Sequence, residues 1–355
     1  MLMVTKDGFI NLWYGSKKFR KEMVATVFDK DKRVIVGFGS ALVDILVHEN
    51  DEFLKKTGAV KGGMTLVDKD FIEHTLSLTS QKPCIVPGGS ACNTVVGIGH
   101  LGGIARFVGK FGKDDLGELF KTELLNNNVE PILFTSSLPT GRVLSIITPD
   151  AQRSMFTFLG ASSETQPGEI KNKCFDNVAI VHIEGYMLYN KDLMMTVLNA
   201  AKVADTIVSL DLASFTVVEE SKEFLEKNVM DYVDILLANE DEADVFTGYS
   251  DEIKAVKALS EKADIAVLKV GKQGSFISRA GRIIKIDPVG TGDAIDTTGA
   301  GDLWASGFLF GLVNGLPLEK CGELGSACGY EVCQIVGANI PEDGWNRIKK
   351  LLETF

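Results

Sequence analysis

The chain has 355 residues, 45% of them hydrophobic, and 37 Lys+Arg against 48 Asp+Glu give a net charge of -11. This balance excludes long disorder and a fibrous fold, and it does not suit nonspecific nucleic-acid binding, which needs a basic surface. The unusual count is 36 glycines against 9 prolines, which points away from linkers and toward defined backbone positions at turns or beside a ligand.

Residues 1–33 are aromatic and basic (Trp13, Tyr14, Lys17, Lys18, Arg20, Lys21) but also carry Asp7, Glu22, Asp29 and Asp31. They lack the apolar core of a secretory signal. They read as an N-terminal extension ahead of a domain over 34–355. Val34-Ile35-Val36-Gly37 reads as a strand, residues 69–80 as a helix, and Ser90 to Leu101 as a second helix. Arg106-Phe107-Val108-Gly109 follows as a strand and Asp114–Asn127 as a helix. Residues 132–160 break the alternation, with turns at Pro139-Thr140-Gly141 and Pro149-Asp150. Together with 47–66 they are expected to build a small β lid outside the main sheet. Val178–Ile183, Thr206–Leu210, Ile235–Leu237 and Ile265–Val270 are further apolar β-rich runs separated by helical segments. Strands alternating with helices predict a mostly parallel sheet covered on both faces. No apolar run approaches the roughly 18 residues of a membrane span. Cys84, Cys92, Cys174, Cys321, Cys328 and Cys333 form no Cys-x-x-Cys pair, and the four histidines include no His-Glu-x-x-His. A zinc site is therefore not expected.

Four glycine-bearing junctions carry the chemistry. In Asp296-Thr297-Thr298-Gly299-Ala300-Gly301-Asp302 a turn of small residues opens an apolar helix. The free N–H groups and the dipole at such a start attract anions, and Asp302 is either a cap or a base beside that anion hole. In Pro87-Gly88-Gly89-Ser90-Ala91-Cys92-Asn93 two glycines precede a helix, which suits either an ordinary turn or close approach to a polyol. Asn239-Glu240-Asp241-Glu242 follows a strand. It is either a solvated helix start or an oxygen site for hydrated magnesium at the carboxyl edge. Lys269-Val270-Gly271-Lys272-Gln273-Gly274 either holds a nucleotide phosphate or reverses the chain. Gly37-Phe38-Gly39 is only a partial dinucleotide fingerprint and no Walker A motif exists. Gly97, Gly99, Gly102, Gly103, Gly307, Gly311 and Gly315 are expected at packing sites.

In content and order these stretches resemble the ribokinase-like (PfkB) family of sugar and nucleoside kinases, from about Val34 to Pro341. Gly39-Ser40-Ala41-Leu42-Val43-Asp44-Ile45, Thr148-Pro149-Asp150 with Arg153, and Ile183-Glu184-Gly185-Tyr186 are most similar to its adenosine-kinase-like branch. The resemblance implies a three-layer α/β/α fold with a small β-sheet lid. It implies transfer of the γ-phosphate of ATP to a hydroxyl of a sugar or an adenosine-like nucleoside. Asp302 matches the base, and Gly299, Ala300 and Gly301 match the anion hole. Arg153 matches a lid arginine that approaches the phosphates. Asp44, Gly88, Gly89 and Asn93 match the sugar-binding residues, and Tyr186 and Met187 match a site that packs on the substrate. Asn239, Lys269, Gly271, Gly274 and Asn339 match nucleotide-binding positions. Glu242 matches a residue tied indirectly to Mg2+, and Asp296 matches one that helps bind a monovalent cation, K+ in some members. Two departures stand out: Lys269 opens a loop that often begins with Thr, and Asp211-Leu212-Ala213-Ser214 replaces the sugar-kinase Asp-x-Asn-x-Arg stretch. The alternatives are a ribokinase- or fructokinase-type sugar kinase and a catalytically idle binding protein on the same fold. A cytoplasmic monomer or homodimer is expected, with ATP and a small-molecule acceptor as partners and neither nucleic acid nor membrane.

Overall fold

The computed structural model describes residues 32–290 and 292–355, so the extension expected over 1–33 lies, apart from Lys32 and Arg33, outside the described residues. The chain enters on β1 (Val34–Phe38), near the middle of a large sheet, and crosses at once to a small one. There it lays down β2 (Leu42–His48), helix α1 (Asp51–Thr57), β3 (Met64–Leu66), α2 (Lys69–Leu78) and β4 (Cys84–Gly88). It returns through α3 (Ser90–His100), β5 (Ile104–Gly112), α4 (Asp115–Asn126) and β6 (Val129–Ser136) at one edge of the large sheet. It leaves again for β7 (Gly141–Ile147) and β8 (Arg153–Phe158). The large sheet is then extended through β9 (Val178–Glu184), α5 (Lys191–Val203), β10 (Ile207–Asp211), α6 (Phe215–Phe224) and β11 (Ile235–Asn239). Helices α7 (Glu240–Thr247) and α8 (Glu252–Ser260) lead to β12 (Ile265–Lys269), β13 (Ser275–Arg279) and β14 (Arg282–Ile286). Helices α9 (Ala300–Val313), α10 (Leu318–Cys333) and α11 (Glu342–Leu352) close the chain.

The large sheet runs β14-β13-β12-β11-β10-β9-β1-β5-β6. Its pairings are parallel from β12 to β6 and antiparallel at β13 and β14. Side chains alternate between faces along each strand, and the two cores obey that period. Leu236, Ala238, Ala266 and Leu268 join α5 to α8 on one face. Ile235, Leu237, Ile265 and Val267 join α3, α4 and α9 to α11 on the other. The result is an α/β/α sandwich with a mostly parallel sheet.

The small sheet runs β3-β8-β7-β2-β4. It has its own apolar core, in which Ile45, Val47, Leu144, Ile146 and Phe156 pack with Leu54 of α1 and Ile72 of α2. Two boundaries differ from the sequence reading. Residues 132–136 belong to β6, which pairs in parallel with β5 in the large sheet. The helix Asp115–Asn126 between them makes a β–α–β unit, and the hairpin begins only after Pro139. The lid also draws on Leu42–His48 and Cys84–Gly88, whereas 51–57, inside the 47–66 stretch, is helical. Two glycines assigned to packing, Gly102 and Gly315, instead sit in left-handed turns with open space around them. Among the described residues no helix is long and apolar enough to cross a membrane.

Candidate active site

Open parallel sheets bind ligands outside the carboxyl ends of their strands, where the chain leaves in both directions. Here β1 is flanked by β5 and β9. The last residues of the neighbouring strands are Glu184, Asp211, Asn239 and Lys269. Glu184 pairs with Asp211 in register, and Asn239 with Lys269. Polar and charged side chains thus end four consecutive strands whose interiors are apolar except for the bonded pair His182 and Ser209.

Helix α9 starts on this edge. Gly299 adopts φ 74° as its N-cap, a left-handed conformation that costs glycine little. The Ala300 N–H bonds to the Thr297 carbonyl at 3.1 Å. The N–H groups of Gly301 and Asp302 have no i−4 carbonyl inside the helix. Every residue of α9 from Leu303 to Val313 is buried. Helices α3 and α9 approach so closely that a Cβ on Gly97 would lie 2.4 Å from Ser306 Oγ. Ser306 Oγ donates to the Thr94 carbonyl at 2.8 Å, and Thr94 Oγ1 donates to the Asp302 carbonyl at 3.2 Å. This seam holds Asp302 opposite the first turn of α3. Ser90 Oγ donates to Asp302 Oδ1 at 2.8 Å, and Asn93 Nδ2 donates to Oδ2 at 2.9 Å. Burial raises the Asp302 pKa, and these two donors hold it down in part.

The lid presents Asp44 to the same place. Asp44 lies on the face of β2 opposite the Ile45/Val47 core and is buried. A Cβ at Gly88 would stand 2.4 Å from its carboxyl carbon, so the Gly88-Gly89 turn leaves room for that carboxylate. Burial pushes Asp44 up to about 6, against the lowering effect of Arg153 and with Asp302 and Asp296 raising it further. Arg153, at the start of β8, therefore acts electrostatically on both Asp44 and Asp302. The lid turn before it touches the turn that opens α9: Thr297 Oγ1 donates to the Ala151 carbonyl at 3.0 Å.

Glu184 joins the two halves. It is buried, and its oxygens accept from the Ser40 N–H at 2.8 Å and the Ala91 N–H at 3.0 Å. Burial raises its pKa to about 7, with those N–H groups opposing the shift. Beside it opens a cavity of about 510 Å³ whose wall includes Ser40, Glu184, Tyr186, Met187, Tyr189 and Ser162. Tyr186 is fixed by its hydroxyl, which donates to the Ala213 carbonyl at 3.2 Å.

On the other side of α9, Lys269 Nζ donates to Asp211 Oδ2 at 2.8 Å. Asn239 caps α7 in a reciprocal box. Its N–H and Nδ2 donate to the two oxygens of Glu242 at 2.9 and 2.8 Å, and the Glu242 N–H donates back to its Oδ1 at 2.9 Å. Glu242 is buried, and burial, with Asp211 adding to it, raises its pKa. Gly271 and Gly274 follow Lys269 in the β12–β13 connection. A Cβ on Gly274 would lie 2.1 Å from the Ile286 carbonyl, so Gly274 is needed for chain reversal. Asp296 Oδ1 accepts from the N–H and hydroxyl of Thr298 at 2.9 and 2.7 Å, and Oδ2 accepts from the Gly337 N–H at 2.8 Å. Asp296 thereby ties the turn before α9 to the loop after α10.

The expected residues thus fall into groups. Asp302, Asn93, Asp44, Arg153 and the turns 88–89 and 299–301 converge. Tyr186 and Met187 line the adjoining cavity. Lys269 meets the start of α9, while Asn239 and Glu242 sit one strand away. Asn339 is exposed, and it is its neighbour Ala338 that packs on Gly299, 2.7 Å from where a Cβ there would lie. Asn93, expected on the acceptor, gives one Nδ2 N–H to Asp302, and its Oδ1 is not used in that bond. Sequence reasoning assigned no role to Ser90, Glu184 or Asp211. The signal for Ser90 was its place directly after Gly88-Gly89. Glu184 and Asp211 enter the sequence reading only within the stretches Ile183-Glu184-Gly185-Tyr186 and Asp211-Leu212-Ala213-Ser214.

This fold and this edge define a phosphotransferase that uses an alcohol group as acceptor. The chain belongs to the pfkB family of carbohydrate kinases, whose profile matches residues 56–344. A solved adenosine kinase from Sinorhizobium meliloti superposes with a TM-score of 0.84 at 30% identity, over 91% of this chain and 99% of that one. A structure described as a probable sugar kinase from Rhizobium etli gives 0.86 at 29% identity, over 92% and 100%. Probable fructokinase-7 of Arabidopsis thaliana is 29% identical over 254 residues, 66% of this chain and 72% of that protein.

Proposed function

We propose that the chain transfers the γ-phosphoryl group of ATP to a hydroxyl of an uncharged nucleoside or sugar, with an adenosine-like nucleoside as the leading acceptor. The observation that carries the reading is the environment of Asp302. It is a carboxylate held from both sides by Ser90 and Asn93, on the first turn of a helix whose free N–H groups suit an anion. The acceptor O–H would give its proton to Asp302 as its oxygen bonds to the γ-phosphorus. The bond from that phosphorus to the β-bridging oxygen breaks, and ADP leaves. The Gly301 and Asp302 N–H groups would meet the charge that develops on the phosphoryl oxygens. Mg2+ supplies charge neutralisation of the phosphates when bound. Both Glu242 oxygens already accept from Asn239, so Glu242 would act on a hydrated ion through water.

The cavity argues for an uncharged acceptor. Lys191 is the one basic residue on its wall, against Glu184 and Asp192. Tyr186, Tyr189 and Met187 give it the apolar and aromatic surface that a nucleobase uses. ATP consumption with adenosine, ribose, fructose and fructose 6-phosphate tests the reading. Turnover is expected with an uncharged acceptor, adenosine first, and not with the phosphorylated sugar. A preference for fructose or ribose would transfer the reading to a sugar kinase. No turnover with any of them would support the idle binding protein.

The acidic limb of the pH profile follows from the same groups. The base must be ionised, and burial raises both Asp302 and Asp44, the latter to about 6. A raised pKa keeps the protonated, inactive form present at higher pH. We therefore expect kcat/KM for the acceptor to fall below about pH 6, not near the ordinary carboxylate value of about 4. Removing Arg153, which lowers Asp44, should move the limb upward. A flat profile down to pH 4.5 would contradict this.

A further inference from the structure

Lys269 and Asp211 end strands β12 and β10, with β11 between them, so their bond spans a strand at the carboxyl edge. The side chains are 12% and 5% exposed. Asp211 is fixed from its own turn, because its Oδ1 accepts the Ala213 N–H at 3.1 Å. The ammonium has three N–H donors, and the bond to Asp211 uses one. A Cβ built on Gly301 would lie 2.9 Å from Lys269 Nζ, and apart from Lys269 and the helix's own first turns nothing else lies within 4 Å of it. The ammonium therefore borders open space directly beside an unpaired helix N–H.

A structural ion pair accounts poorly for this placement. Desolvation takes back most of what a buried pair gains, so stability alone gives little reason to keep one here. The surroundings are also acidic, since Asp211, Glu242 and Asp302 all act electrostatically on Lys269. A polyphosphate entering that field would be repelled unless a full positive charge stood at the point of entry. The helix dipole supplies only about half a charge.

We propose that Lys269 is a catalytic residue for phosphoryl transfer, its ammonium held by Asp211 so that its free N–H groups meet the transferring phosphoryl oxygens together with the Gly301 N–H. This goes beyond a nucleotide-loop role and rests on the kinase reading above. Asp211 is a positioning residue, since it acts through the lysine.

The test compares wild type with Lys269→Met, Asp211→Asn and the double variant Lys269→Met/Asp211→Asn. The double variant removes both charges, so no buried carboxylate is left unpaired. Steady-state kinetics are measured with the preferred acceptor, and binding of inorganic tripolyphosphate is measured by calorimetry. Lys269→Met and the double variant are expected to lose about 10²–10³ in kcat, with the acceptor KM within about threefold. Asp211→Asn keeps the cation and should lose only about tenfold. Tripolyphosphate affinity should fall at least tenfold in the double variant. The proposal is overturned if the folded double variant turns over within tenfold of wild type. It is equally overturned if Asp211→Asn is as slow as Lys269→Met with tripolyphosphate affinity unchanged, the pattern of a scaffold pair. An inactive wild type would sink the kinase reading instead. Tripolyphosphate binding by wild type and the double variant would then still decide whether Lys269 holds phosphate.

Discussion

Asp302→Ala is expected to lower kcat by about 10²–10⁴, the range that a positioned general base contributes, while ATP binding changes little. The carboxylate accepts from Ser90 and Asn93 and makes no hydrogen bond to the turn at 269–274. Its loss therefore removes proton acceptance without dismantling the phosphate side. Asp302→Asn sharpens the point. It keeps the shape and loses the charge, and its one amide oxygen can accept from only one of Ser90 and Asn93. A variant that is slow yet binds ATP normally supports the assignment. Near-wild-type turnover of purified Asp302→Ala would falsify it, whatever its stability.

Glu184→Ala should produce the largest loss of stability among the site residues. The side chain is 1% exposed and is the acceptor for both the Ser40 and Ala91 N–H groups. Each buried donor left unpaired costs about 1–3 kcal/mol. A loss of about 2–5 kcal/mol is therefore expected, read from the urea midpoint. The effect should depend on pH in a definite direction. The folded pKa stands at about 7, above the ordinary 4.5, so the folded state binds the proton more tightly. The contribution of Glu184 is then complete below about pH 4.5 and declines as pH rises toward 7. The gap between wild type and Glu184→Ala should be wider at pH 5 than at pH 8. A gap that widens toward alkaline pH would contradict this.

Local signals made most of the architecture legible. The apolar runs Val34–Gly37, Val178–Ile183, Thr206–Leu210, Ile235–Leu237 and Ile265–Val270 mark parallel strands, because both faces of such a sheet are covered. The turn at 299–301 is marked as a helix start by its small residues and the apolar helix that follows. The pairings were not legible. Ser90 and Asp302 are 212 residues apart, Glu184 and Ser40 are 144 apart, and Lys269 and Asp211 are 58 apart. No period or composition encodes which distant donor a carboxylate will meet. For the same reason the bond from Asn93 to Asp302 across the seam between α3 and α9 could not be read from sequence. The placement of β6 was missed because its turn residues resemble those of a hairpin. The preceding helix, which forces a parallel crossover, is the feature that decides.

The lid carries Asp44 and Arg153 on a sheet with its own apolar core of Ile45, Val47, Leu54, Ile72, Leu144, Ile146 and Phe156. Substitutions on that sheet can accumulate without disturbing the packing that holds Asp302. The packing of the small sheet is thus separable from that of the α3–α9 seam. A change on one can be absorbed there while the strand ends of the large sheet stay as they are.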